Sequence, residues 1–215
     1  MAKLNPCLKN LGSSIAPNGR RGHLYIKAED VEIKQIMLDL SVDKKTAKSY
    51  RYSIRGWSQN DYKDVRKFQS TGIADYGLKD PSIGQSKRIE EFIKKSQSFE
   101  GEIYRGIKGI DIRKNFANMN VGDMVDMQGT SSWTSKYSKA LKHSQVIDRG
   151  QEINGVVFKL KKTKSGTSIT HISAFPQEGE VIASESSRFK LVKTPKVVTD
   201  IEENIYLEVI VEEIL

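Results

Sequence analysis

The chain of 215 residues, 37% hydrophobic and 29% charged, is long enough for one good-sized domain, or one domain with an appendage. A single cysteine, Cys7, excludes an internal disulfide, and His23, His143 and His171 lie far apart without acidic partners at ligand spacing, which argues against a metal site. The formal net charge of +8 permits contact with a polyanion or a phosphate-bearing small molecule, but the cations are scattered, and no helix-turn-helix, zinc-finger or aromatic-platform signature points to specific nucleic-acid binding.

Residues 1–42 contain two short alternating or apolar runs within LYIKAEDVEIKQIMLDLSV, which predict a β-leaning lead-in or tether. From Asp43 a helical pattern begins. Ala47, Tyr50, Ile54 and Trp57 recur at spacings of three, four and three, one face of a helix. Ser58 or Asn60 could cap a following short helix carrying Tyr62, Val65 and Phe68. STGIADYGLKDPSIG reads as loop. SKRIEEFIKK restores helix, with Ile89, Phe92 and Ile93 facing inward.

After Gly101 the character changes. EIYRGI and MVDMQGTSSWTS read as strands, the second ending in a hydroxyl-rich turn, and KYSKALKHSQVI reads as helix. GVVFKLKK, THISAF, EVIAS, SRFKLVK and NIYLEVIVEEIL then follow as strands. Helices first and a mainly antiparallel sheet afterwards give an α+β fold. The start lacks an apolar core of signal-peptide length and no long apolar run occurs, so neither a cleaved signal nor a membrane span is expected. That leaves a cytoplasmic, virion-associated or otherwise delivered protein.

Three places carry chemistry. Arg105 sits inside an apolar strand, IYRGI. Ser131 and Ser132 precede a tryptophan in GTSSWTS. Glu178 and Glu180 flank a glycine in FPQEGEVI, and in extended chain two such residues would share a face. Taken singly, each has a plain structural reading: an edge arginine with its head in water, a helix cap, a solvated turn.

As an ordered set, YRG (104–106), SSWTS (131–135) and FPQEGEV (175–181) resemble the arginine–serine–glutamate class of mono-ADP-ribosyltransferases, which includes clostridial binary-type toxins and phage enzymes. The resemblance covers residues 43–215 and implies a fold with a two-sheet β core behind N-terminal helices. It also implies that NAD is a substrate, split between nicotinamide and ribose, with ADP-ribose passed to an arginine of a target protein. Glu180 would stabilise the sugar cation and Glu178 would face the acceptor. Ser132 would orient Glu180, and Arg105 would grip the phosphates. Tyr104 and Gly106 flank that arginine in the cofactor-binding set, although Tyr104 by itself reads as a structural residue. Phe175 would either lie on the acceptor-recognition turn or pack in the core.

One departure stands out: the family's Ser-Thr-Ser is here Ser-Ser-Trp-Thr-Ser, so Ser132 or Ser135 could be the supporting hydroxyl. His171 could approach the cleft; His143 carries no role. An NAD glycohydrolase would use the same residues, and a catalytically idle binding or virion module is the reading from another class. An immunity protein or a virion assembly would be the partner in a toxin or phage setting.

Overall fold

The computed structural model describes residues 21–148, 151–203 and 205–214. The expectation of a tether at the N-terminus therefore lies outside the described residues as far as residue 20. From there the chain departs from a β-leaning lead-in. Arg21–Leu40 is a 20-residue helix, α1. Its Ile33 and Ile36 enter a core shared with the next helix, and that packing decides against extended chain.

Helix α2 (Lys44–Gly56) starts where Asp43 accepts a hydrogen bond from the Thr46 amide, a side-chain N-cap. Ion pairs lock the two helices: Arg51 Nε lies 2.6 Å from Glu32 and Arg55 Nη1 lies 3.7 Å from the same carboxylate. The expected cap at Ser58 or Asn60 is absent. A π-helical turn, Trp57–Asp61, runs α2 directly into α3 (Tyr62–Thr71), and no side chain caps the junction. After a loop, Asp80 caps α4 (Pro81–Lys95), whose Ile89, Phe92 and Ile93 are buried as expected.

The strands are β1 (Ile103–Ile107), β2 (Met124–Val125), β3 (Ser131–Thr134), β4 (Gln145–Asp148), β5 (Gln151–Asn154), β6 (Val156–Leu160), β7 (Thr167–Ser168), β8 (Glu180–Ala183), β9 (Arg188–Leu191), β10 (Lys196–Thr199) and β11 (Ile205–Ile214). Two further helices intervene, α5 (Ile110–Ala117) and α6 (Tyr137–Ser144). MVDMQGTSSWTS divides into two strands, β2 and β3, with different partners. THISAF is not a strand; it is a turn after β7 in which the Ile172 and Ser173 amides both return to the Ile169 carbonyl.

Nine strands form one sheet: eight follow the path β2-β9-β11-β6-β1-β3-β8-β7 and β10 pairs with β11 off it; β4 and β5 make a separate hairpin. Pairing is antiparallel except between β6 and β11, so the sheet is mixed. Along the path β3 and β9 are four steps apart, about 19 Å if the sheet were flat. Yet the Trp133 and Phe189 rings stand 5.3 Å apart. The path therefore folds over, and its two halves face each other across a core of Trp133, Phe158, Val181, Phe189 and Val209. Outside one half lie α1 to α4, joined to it through Ile169, Ile172 and Ile182. Outside the other lies α6, on Val157 and Tyr206. Among the described residues no helix is long and apolar enough to cross a membrane.

Candidate active site

Strands β1, β3 and β8 run side by side and bring the three sequence motifs together. Thr134 pairs with Glu180 and Ser132 with Ile182, so Ser132 and Glu180 share a face as diagonal neighbours. The Ser132 hydroxyl donates to Glu180 Oε1 at 2.9 Å. From β1, Arg105 Nη1 donates to the Ser132 carbonyl at 2.5 Å. Ser132 thus stands between a cation and an anion, engaging the first through its backbone and the second through its side chain.

The direction of these hydrogen bonds is fixed by a residue the motifs do not include. Trp57, on the π-helical turn, donates its indole N–H to Ser132 Oγ at 3.1 Å. An indole nitrogen has no acceptor capacity, and a serine has one proton. That proton must go to Glu180. On the other side Ser173 donates to Glu180 Oε2 at 3.2 Å. Burial is the main influence on the Glu180 carboxyl and pushes its pKa up; the two serines oppose this, and the neighbouring Glu178 adds to it. Only 7% of Glu180 is exposed.

The Ser-Ser-Trp-Thr-Ser run sorts into separate tasks. Ser132 holds the carboxylate. Trp133 packs inward and donates to Ser131 Oγ at 2.9 Å. Thr134 Oγ1 donates to the Glu178 carbonyl at 2.5 Å, and Ser135 Oγ donates to the Gly179 carbonyl at 3.2 Å. The last two hydroxyls grip the backbone of the glutamate turn, while within this run it is Ser132 that touches the Glu180 carboxylate.

Only Glu180 lies in a strand. Pro176–Glu178 is a 3-10 turn and Gly179 is left-handed, with φ +62°. The extended same-face arrangement of the two glutamates does not occur, because the turn swings Glu178 out to the surface. There it lies 3.8 Å from His143 Nε2, at a third of full exposure. His143, given no role from sequence, is the nearest titratable side chain on α6. Lys136 Nζ steadies the same turn by donating to the Gln177 carbonyl at 2.7 Å. Phe175 is 42% exposed and so is not a core residue.

Arg105 is half-buried, and among the described residues it has no counter-ion. Its Nε is buried and has no hydrogen-bond partner among the described residues. Burial, with the charge of Arg66 adding to it, lowers the guanidinium from its ordinary value to about 9, against a smaller opposite influence from Tyr62. Arg66, on α3, is the second functional candidate missed from sequence. It donates from Nη2 to the Met127 carbonyl at 2.6 Å and from Nε to the Gln128 carbonyl at 3.3 Å. Two guanidiniums near each other, whose hydrogen-bond acceptors among the described residues are neutral carbonyls, with Asp126 acting on Arg66 from further off, suit a phosphate-bearing ligand. A basic residue in a polar helix gave no local signal of this.

Tyr104 and Gly106 are not part of this cluster. Alternation along β1 turns them to the opposite face from Arg105. Tyr104 hydrogen-bonds Glu102 and meets the Tyr137 ring edge-on at 5.5 Å. At Gly106 a Cβ would stand 1.8 Å from the Ala140 carbonyl oxygen, so the glycine admits α6 rather than a cofactor. Nor does His171 reach Glu180. It borders a surface groove with Asp39 and Phe92, near the end of α1.

No protein-family model matches the chain, and no curated protein does. Solved structures do. The Vis toxin, an ADP-ribosyltransferase from Vibrio splendidus, is similar with a TM-score of 0.60 at 15% identity, over 94% of this chain and 89% of that one. Plx2a, an ADP-ribosyltransferase toxin from Paenibacillus larvae, reaches 0.60 at 16% identity, over 88% of this chain and 94% of that one. This is the ADP-ribosyltransferase fold. Exoenzyme S from Pseudomonas aeruginosa, solved with carba-NAD and a human 14-3-3 protein, shares it with a TM-score of 0.56 at 14% identity, over 87% of each chain. At such identities the likeness carries the fold, and the chemistry of this ADP-ribosyltransferase fold rests on its own side chains.

Proposed function

We propose that the protein is an NAD-dependent mono-ADP-ribosyltransferase that modifies an arginine side chain of a target protein. The observation that carries this reading is Glu180, a buried carboxylate held by a serine hydroxyl on each oxygen and separated from Arg105 by Ser132. Arg105 and Arg66 would hold the two phosphates. The bond between the ribose carbon and the nicotinamide nitrogen then breaks, and its electron pair leaves with neutral nicotinamide. Positive charge develops on the sugar, and Glu180, already oriented and poorly solvated, stabilises it with little reorganisation. A guanidinium nitrogen of the acceptor, losing its proton to Glu178, forms the new bond to that carbon. A carboxylate suits a guanidinium through its bidentate geometry, and the exposed Phe175 ring offers a cation–π face beside it.

Two neighbours of the same fold support the substrates: Vis has been solved with agmatine, an arginine-like amine, and the toxin BECa of Clostridium perfringens with NADH. The test is nicotinamide release from NAD with and without agmatine, for the wild type and Glu180→Gln. Release that depends on Glu180 and yields ADP-ribosyl-agmatine is the expected result. Glu180-dependent release with no modified acceptor would make the protein an NAD glycohydrolase. No release from folded protein would overturn both.

A further inference from the structure

Residues 171–175, HISAF, read from sequence as a strand, and Ser173 carried no assignment. In the fold it is a buried hydroxyl, 4% exposed, with both of its hydrogen-bonding capacities in use. It accepts from the Phe175 amide at 3.1 Å and donates to Glu180 Oε2 at 3.2 Å. Its own amide returns to the Ile169 carbonyl at 2.8 Å, which fixes the backbone from which the hydroxyl reaches. We propose that Ser173 is a positioning residue that couples the acceptor turn to the catalytic carboxylate, so that order at Phe175 and the orientation of Glu180 depend on each other.

An amide N–H can only donate, so the single Ser173 proton is free for Glu180 alone. Opposite it, Ser132 is driven the same way by the Trp57 indole. Glu180 therefore receives one O–H on each oxygen, each backed by an N–H behind it, and hydrogen bonds to the charged form of a carboxyl favour that form. What sits behind the two serines differs. Trp57 belongs to the helical layer and is fully buried. Phe175 is the first residue of the exposed turn that carries Glu178. One grip on Glu180 is anchored in the core and the other in a surface segment that an acceptor would touch.

A neighbouring contact supplies the control. The Ala174 amide also lands on a serine, Ser58 Oγ at 2.9 Å, but that hydroxyl passes its proton to the Arg55 carbonyl at 3.0 Å. Ser58 anchors the same turn without touching Glu180. Its removal loosens the turn, whereas removal of Ser173 also takes a donor from the carboxylate.

The experiment follows the Glu180 carboxyl by NMR titration of protein carrying labelled glutamate, with the signal identified by its loss in Glu180→Gln. Ser173→Ala is expected to move the titration midpoint to higher pH, because the charged form loses a donor. Ser173→Thr should leave it close to the wild type, and Ser58→Ala should not move it. A folded Ser173→Ala protein with an unmoved midpoint would overturn the assignment, as would an equal shift in Ser173→Thr. The second readout rests on the proposed activity: agmatine modified per nicotinamide released should fall severalfold in Ser173→Ala, since the turn and the carboxylate loosen together. An unchanged ratio would sink the coupling. Wild-type protein that releases no nicotinamide would end the proposed activity, while the titration would still decide whether Ser173 holds Glu180.

Discussion

Arg51 on α2 donates to Glu32 at 2.6 Å and faces Glu29 at 3.8 Å, so α1 already supplies its counter-charge. Arg105 on β1 is half-buried, yet its partner is a neutral carbonyl and its buried Nε has none among the described residues. The same contrast holds for anions: Glu32 has two arginines nearby, whereas among the described residues Glu180 is held by hydroxyls. A balanced charge is complete in the empty protein and serves the fold. An enclosed charge without its opposite costs stability, and it is completed only by a ligand that brings the missing sign. Arg105 and Glu180 each lack a directly bonded counter-charge among the described residues, and the proposed substrate, with a diphosphate at one end and a developing cation at the other, would supply both.

The largest effect should come from Glu180→Gln, which keeps the shape and removes the charge. Nicotinamide release should fall by about 100-fold or more. The sign of the accompanying stability change sharpens the contrast. Burial raises the Glu180 pKa above its unfolded value near 4.5, so the folded state binds the proton more tightly and wild-type stability falls as pH rises through that window. Melting temperatures should therefore favour Glu180→Gln at neutral pH and converge with the wild type below about pH 4.

Arg105→Met and Arg51→Met should separate cleanly. The first should weaken NAD binding by at least about tenfold while the melting temperature holds or rises. The second should leave NAD affinity of the folded protein unchanged and cost about 1–3 kcal/mol of stability, because it strands the α1 glutamates. If Arg105→Met melted lower and Arg51→Met melted higher, the distinction would fail. Gly106→Ala tests the reassignment of that residue. Its Cβ would meet the Ala140 carbonyl, so unfolding should be easier by about 1–3 kcal/mol, with NAD affinity intact in the folded fraction. The smallest effect belongs to Trp57→Phe, which keeps a ring but deletes the N–H to Ser132. A roughly severalfold loss in kcat with little change in KM is expected, read from initial rates.

Much of the fold was legible where a local rule governs it. Spacings of three and four marked α2 and α4, and strict alternation marked β11. α1 was hidden because Val31 and Ile33 mimic alternation and Ile36 with Met37 makes a short apolar run; contacts with α2 decide its state. THISAF has strand-like residues, but its amides are spent in a turn. At the site, Arg105, Ser132, Glu178 and Glu180 were legible as an ordered set. Arg66, Trp57 and Ser173 were not, because a basic helix residue, an aromatic on a helical stripe and a serine in an apolar run each have an ordinary reading. Only the fold reveals what they touch. Tyr104 and Gly106 fall on the other face of β1 from Arg105 for a simpler reason: neighbours along a strand point opposite ways.

The π-helical turn at Trp57–Asp61 gives the molecule an irregularity in a long helical run. Such a turn is an α-helix carrying one residue too many. It lets Trp57 aim its N–H at Ser132 while Ser58 receives the Ala174 amide. Deleting one residue there would restore an unbroken helix and rotate everything on one side of the cut by about 100° relative to the other. That rotation would turn either Tyr50 and Ile54 or Val65 out of the shared helical core, so stability would fall together with the aim of the indole. The extra residue is what lets one continuous helical run keep both its buried faces and a polar contact with the strands.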